Sequence, residues 1–335
     1  MELLRDSVPM VILAVSAVVL YERAVSSRTP PGFPRLAMLL PVGAFFAAVP
    51  FAFSSAILRL ITAHFMCLAM FKVVLLAKGH DWLHPGLPVH QFLFVAALPV
   101  EIDGHPDDPH AIAAAAAAGG GLVPSLVSGT LVKVTVVAAI LHVCHCRLLD
   151  GLHVYARYAV YSVLIWFFLE LVSACVVTAG GAVVLKVKPH FDRPYLSTSV
   201  QDFWGRRWNL VVSAVLRRSV YDPLRRRVRK EAAIMATFLV SGLMHEALAL
   251  YVTPLPPTGE LAAFFLLQGA CRVAEERCAR RWAPPLPPLV RRLFVYAFLI
   301  CTTFWLIFPP IGREGREEML LEELEVLAAF FTGII

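Results

Sequence analysis

An all-α protein that crosses the membrane several times is predicted on three observations. Hydrophobic residues make up 59% of the 335 positions and charged ones only 16%, against roughly half and a quarter in soluble domains. The apolar residues gather in nine stretches, most of them near the roughly 20 residues that span a hydrocarbon core about 30 Å thick. The cations gather elsewhere: residues 186–230 hold twelve Lys/Arg and three Asp, a surplus larger than the net charge of +6, so the remainder is net acidic.

The first stretch, 8–21, is followed by the small residues Ala24, Ser26 and Ser27, as in a secretory signal. Its flanks are mixed in charge and more apolar stretches follow, so an uncleaved first membrane helix is expected. The Pro/Gly break TPPGFPR precedes the second and third stretches, 36–53 and 55–77. Residues 103–121, including HPDDPHAIAAAAAAGGG, differ from their surroundings, and their glycine triplet and prolines favour a variable loop without a catalytic role. The fourth to sixth stretches, 122–141, 155–185 and 231–252, are followed by 261–271, 293–308 and 320–335, with breaks at TPLPPTGE and APPLPP. Seven to nine helices are expected, in one membrane domain covering 1–335. No internal repeat suggests the inverted halves of a transporter.

Ionisable residues inside these stretches are costly at membrane depth and mark candidates for function. They are Arg59, His64 and Lys72 in the third stretch, Glu170 in the fifth, and His245 with Glu246 in the sixth. Arg59 and Lys72 are near enough to segment ends to snorkel, and Glu170 has the simpler role of partnering a cation on another helix. The seven cysteines lie mostly in apolar stretches and imply no disulfide framework. His142, Cys144, His145 and Cys146 alternate around a helix and face different ways, so no metal site is expected.

A single cationic segment between apolar ones reads first as a cytosolic loop and second as a site for anionic headgroups or phosphates; nucleic acid is not an expected partner. Within it stands QDFWGRRWN, residues 201–209. Thr198 or Ser199 can cap a helix starting near Val200, on which Trp204 and Trp208, four apart, share a face, with Arg206, Arg207 and Asn209 on other sides. Amphipathic rings place such a helix at the headgroup level. Beyond it, Arg217, Arg218, Arg225, Arg226, Arg227, Arg229 and Lys230 surround a Tyr221-Asp222-Pro223-Leu224 turn. Guanidinium forks match phosphate oxygens, so the run suits an anionic carrier at the membrane surface better than a topology signal alone requires.

The next helix contains His245, with Ser241, Gly242 and Ala249 on the same side at helical spacing. Small neighbours leave space before the imidazole, and a neutral buried imidazole can take a hydroxyl proton as that hydroxyl attacks an acyl carbon. The alternative is a histidine hydrogen-bonded for structure alone. Other chemistries find no support: position 249 is Ala where a zinc protease has its second His, and no serine elbow or phosphate-binding glycine loop is present.

These residues resemble the plant wax synthase branch of the membrane-bound O-acyltransferases. PHFDRPYLSTSVQDFWGRRWN and FLVSGLMHE look like its two signature blocks; YDPLR between them and LPVEI at 98–102 are similar too. The likeness spans most of the chain and is specific from Pro189 to Glu246, within a signature catalytic segment at 186–252. It implies a bundle with a reaction tunnel in the endoplasmic reticulum membrane, where an acyl group passes from acyl-CoA to a long-chain alcohol to give a wax ester. Carried over by position, His245 is the catalytic histidine and Asn209 the second signature polar residue. Their chemistry suits a general base and a donor to the thioester oxygen. Trp204, Arg206, Arg207, Trp208, Arg217 and Arg218 then become candidates to grip acyl-CoA, and Ser241 and Gly242 to line the tunnel. Acyl-CoA is a co-substrate; no permanently bound cofactor is expected. A thioester is already activated, so no covalent acyl-enzyme is needed.

Acceptor choice depends on tunnel shape and stays open: a sterol or diacylglycerol are alternatives to a fatty alcohol, and acetyl-CoA an alternative donor. From another class, a transporter or lipid-binding protein would use His245, Glu170 and His64 as a proton or ligand path. A catalytically inactive relative is the third reading.

Overall fold

A computed structural model describes residues 2–80, 83–102, 124–183, 185–253, 255–281 and 286–332; the loop expected at 103–121 lies outside them. The longer helices are α1 (Glu2–Arg28), α2 (Phe33–Ala48), α3 (Ala56–Ala77), α4 (Val89–Ala97), α5 (Pro124–His145) and α6 (Val154–Ala182). They are followed by α7 (Leu210–Leu216), α8 (Lys230–Val252), α9 (Glu260–Arg281), α10 (Pro288–Leu306), α11 (Phe308–Gly312) and α12 (Arg316–Thr332). The breaks fall where chemistry demands them. Pro50 opens a 3₁₀ turn after α2, and the Ser55 hydroxyl accepts from Leu58 N to cap α3.

Among the described residues, six helical stretches have the length and apolarity to cross a bilayer: Val8–Arg28, Phe33–Ala52, Ala56–Ala77, Val154–Ala182, Lys230–Val252 and Pro288–Gly312. Gly129–His145 is a shorter apolar helix. The other two stretches counted in the sequence belong to mixed helices. α9 starts apolar but continues through Glu275, Glu276 and Arg277, and α12 opens with Arg316, Glu317 and Glu318.

One core joins α1, α2, α3 and α4 around Val19, Leu39, Phe46, Leu76 and Phe92. Its cations meet backbone oxygen at helix ends, where the macrodipole is negative. Arg35 donates to Thr29 O and Leu76 O, and Lys72 to Val95 O and Leu98 O. Glu170 on α6 pairs with Lys133 on α5 and accepts from Trp166 Nε1. That cross-helix pair accounts for a carboxylate at membrane depth without a proton path.

Residues 186–252 are positioned by a second and a third cluster. Leu68 of α3, Val211, Val212, Val215 and Leu216 of α7, and Met244 of α8 pack together. Ile234 and Phe238 of α8 meet Phe264, Phe265 and Val273 of α9. Arg59 near the start of α3 donates to Val252 O at the end of α8, so these two helices run antiparallel. The end of α3 therefore shares a membrane side with the start of α8 and the basic run before it.

A strap crosses the same side. Ile102 and Val187 form an isolated antiparallel bridge. Beside it Lys188 N donates to Glu101 O at 2.9 Å. Glu101 is buried, and its carboxylate accepts from Lys188 Nζ at 3.2 Å and from Arg218 at 2.9 Å. An acid in the apolar LPVEI segment thus anchors two cations of the basic region.

Candidate active site

The segment from His190 to Asn209 is fixed by hydrogen bonds that few of its residues advertise. Ser199 caps the turn Val200–Asp202 by accepting from Asp202 N at 2.9 Å, and Glu275 of α9 accepts from Val200 N and Gln201 N. Carboxylates at a helix start stabilise its unpaired N–H groups. The helix does not continue as an α-helix: Phe203–Arg207 forms a π-helical turn, and Trp208 is extended. The wider turn and the extended exit separate Trp204 from Trp208, which do not share one helical face as their spacing predicts.

Trp204 points inward, its Nε1 donating to Gln268 at 3.2 Å and its ring among Phe238, Phe264 and Phe265. Trp208 stacks on Phe203 with centroids 5.2 Å apart and meets the Phe191 ring edge to face. Arg207 Nε donates to Asp202 at 2.9 Å, and another guanidinium nitrogen to Asp192 O. Arg218 pairs with Glu101. Four of the six side chains proposed for acyl-CoA therefore already hold the segment together; Arg206 and Arg217 are exposed, Arg217 standing 3.8 Å from Asp222.

Asn209 has a left-handed backbone, φ 42°, and its side-chain oxygen accepts from Val212 N at 3.4 Å, capping α7. Asn tolerates this conformation better than most residues, and its oxygen is the group that caps. The amide Nδ2 is left with no hydrogen bond among the described residues. Leu210 N donates to His190 O at 2.8 Å, which ties the start of α7 to the strap.

His190 is buried, with Ser173 Oγ 2.7 Å from Nδ1 and Pro99 O 2.7 Å from Nε2. A carbonyl only accepts, so Nε2 carries the proton and Nδ1 accepts from the serine. Burial holds its pKa below the ordinary value, against the opposing pull of the Pro99 carbonyl. The imidazole joins α6, the 98–102 strap and the signature block. It sits in PHF, where only the resemblance drew attention to the block; its spacing gave no sign of it.

His245 Nδ1 lies 2.7 Å from Ser241 O. By the same reasoning Nδ1 donates, and Nε2 presents its lone pair. The Phe265 ring lies 4.3 Å from the imidazole, at 33° to it, and Trp204 packs behind Phe265. Ser241 contributes through its carbonyl. Gly242, expected to open space before His245, instead faces α9: an added Cβ would stand 2.7 Å from Ala262 Cα. Glu246 is likewise turned to α9, accepting from Ala262 N at 3.1 Å. Gly242→Val is therefore expected to lose most of the membrane-inserted protein, through backbone overlap that side-chain movement cannot relieve; fluorescence-detected size exclusion of the detergent-extracted protein checks it.

Asn209 and His245 are far apart in sequence, and their helices α7 and α8 are joined through one hydrophobic cluster. Val211 and Val212, two and three residues after Asn209, share a cluster with Met244, next to His245. His64 on α3 lies within electrostatic reach of both His245 and His190.

Residues 187–267 match the family model described as membrane bound O-acyl transferase family. The chain is 36% identical to a probable long-chain-alcohol O-fatty-acyltransferase of Arabidopsis thaliana over 330 residues, covering 92% of this chain and 93% of the relative. It belongs to the membrane-bound O-acyltransferases. Within them it belongs to the plant long-chain-alcohol O-fatty-acyltransferase branch, since a further such relative from the same plant is 32% identical over 91% of this chain and 90% of its own length. An acyl-CoA:sterol O-acyltransferase of that plant is 33% identical over 94% of this chain and 93% of its own. The protein is thus an integral membrane acyltransferase, and acyl-CoA is the co-substrate that its family implies.

Proposed function

We propose that this acyltransferase esterifies a long-chain fatty alcohol with a fatty acyl group from acyl-CoA, giving a wax ester, in the endoplasmic reticulum membrane. The observation that carries the mechanism is the His245 imidazole, whose Nδ1–H is fixed on Ser241 O while Nε2 has no hydrogen bond among the described residues. The alcohol hydroxyl gives its proton to Nε2 as its oxygen attacks the thioester carbonyl carbon. Negative charge moves to the carbonyl oxygen, where the Asn209 amide N–H donates. The C–S bond then breaks, and the proton on His245 passes to the departing thiolate, so free CoA and the ester leave together. Both substrates are held in one place and no acyl-enzyme forms. Arg206 and Arg217, exposed on the side of the basic run, meet the phosphates of CoA. Membrane lipids surround the bundle and deliver the acceptor.

The sterol acyltransferase among the relatives makes a sterol the second acceptor to test, with diacylglycerol and an acetyl donor beside it. The test is an acyl-transfer assay on membranes of a host without its own neutral-lipid acyltransferases. Labelled palmitoyl-CoA or acetyl-CoA is offered with hexadecanol, a sterol or diacylglycerol. Labelled hexadecyl ester as the dominant product is the expected result. A dominant sterol ester would replace the acceptor, and no ester from any pair would overturn the proposal.

A further inference from the structure

The register of α3 against α8 is fixed at two places. Arg59 reaches Val252 O, and Leu68 packs in one cluster with Val240 and Met244. Between those two points on antiparallel helices, His64 falls at the level of His245 to Leu248. The two imidazoles are within electrostatic reach of each other, which agrees with that register. Each imidazole keeps accessible surface, so a bound group can reach it. They differ in one respect. His245 has its Nδ1 bonded to Ser241 O, and Phe265 packs against its ring. His64 has no hydrogen bond among the described residues; its ring contact is with the adjacent Phe65, centroids 6.3 Å apart. Polar groups at this depth normally have partners, because an unpaired one costs free energy that water is not there to offset.

We propose that His64 is a second substrate-contacting residue, which holds the acceptor hydroxyl in front of His245. Its imidazole N–H donates to one lone pair of the alcohol oxygen, the second lone pair attacks the thioester carbon, and the hydroxyl proton goes to His245 Nε2. His64 gains and loses no proton. Its part is to select the orientation in which the hydroxyl, and not the alkyl chain, enters the space between α3 and α8. A site that hydrogen-bonds a hydroxyl discriminates strongly for groups that can accept that bond.

This inference rests on the acyl-transfer reading, and the experiment separates the two. His64→Phe, His64→Gln and His245→Ala are compared at equal membrane abundance, with KM for hexadecanol and for palmitoyl-CoA measured independently. His64→Phe is expected to raise KM for the alcohol about tenfold, the scale of one lost hydrogen bond, with KM for palmitoyl-CoA within about twofold of wild type. His64→Gln, whose amide N–H still reaches, is expected to recover most of the difference. A loss of packing alone would not be repaired by a polar amide or be confined to one substrate. His64→Phe with an unchanged alcohol KM, or both KM values raised together, would overturn the role of His64 while an inactive His245→Ala leaves the acyl-transfer reading standing. A fully active His245→Ala would overturn the reading and this inference with it.

Discussion

Ester formation by His245→Ala is expected to fall by about two to four orders of magnitude, the range a positioned general base contributes, with membrane abundance unchanged. The loss is expected in kcat and in kcat/KM alike, because an imidazole that takes a proton during attack contributes in the transition state and little in the ground state. His245→Gln makes the test sharper. A glutamine amide can donate to Ser241 O as Nδ1 does, so it keeps the helix contact, but it is no base near neutral pH. Gln and Ala variants equally inactive would assign the loss to proton transfer; an active Gln variant would assign it to the hydrogen bond. The measurement is initial rate at saturating and at low hexadecanol, on membranes matched for protein by immunoblot.

The membrane bundle was legible because burial in lipid demands a simple pattern, apolar runs of spanning length with Pro/Gly breaks. Ser199 was legible as a cap, and Glu170 as the partner of a cation, because both roles follow from local rules or from charge alone. The site was legible in its residues but not in their directions. Trp204 and Trp208 stand four apart, and an α-helix would put them together; the π-helical turn at Phe203–Arg207 turns Trp204 into the α8–α9 cluster and leaves Trp208 on Phe203. Helix period alone predicts no such turn. Gly242 falls on the His245 side of a helix wheel, but which face lies against Ala262 is decided by α9, which arrives later in the chain. Arg207 and Arg218 show the same limit in their charges. A basic run reads as a phosphate site until the acids that meet it are known, and Glu101 lies over a hundred residues from Arg218.

That distinction changes how the basic region acts. Asp202 holds Arg207 and Glu101 holds Arg218, so these cations shape the segment, whereas Arg206 and Arg217, like Arg225, Arg226, Arg227 and Arg229 further along the basic run, are exposed. The same scaffold sets the start of α7: Leu210 is bonded to His190 O, and His190 is bonded to Pro99 and Ser173. The position of Asn209 therefore depends on a chain of bonds that begins outside the signature segment.

The cap that Asn209 places on α7 and the oxyanion role proposed for its amide are separable, and substitutions that keep one of them should divide the effects. Asp at 209 keeps an oxygen to accept from Val212 N and tolerates the left-handed backbone, so α7 is expected to be as stable as in the wild type to within about 0.5 kcal/mol. It lacks the amide N–H and brings a negative charge to the place where an oxyanion develops, so activity is expected to drop by about 10² to 10³-fold. Gly at 209 suits φ 42° and loses both the cap and the amide; it should be similarly inactive and slightly less stable. Ala loses both and adds backbone strain of about 1 kcal/mol, so it is the least informative replacement. Thermal inactivation and initial rate, measured on the same membranes, decide the matter. Asp and Gly variants near the wild type in stability yet inactive would place the amide at the reacting thioester. An active Asp variant would leave capping as the whole task of Asn209 and require another donor for the oxyanion.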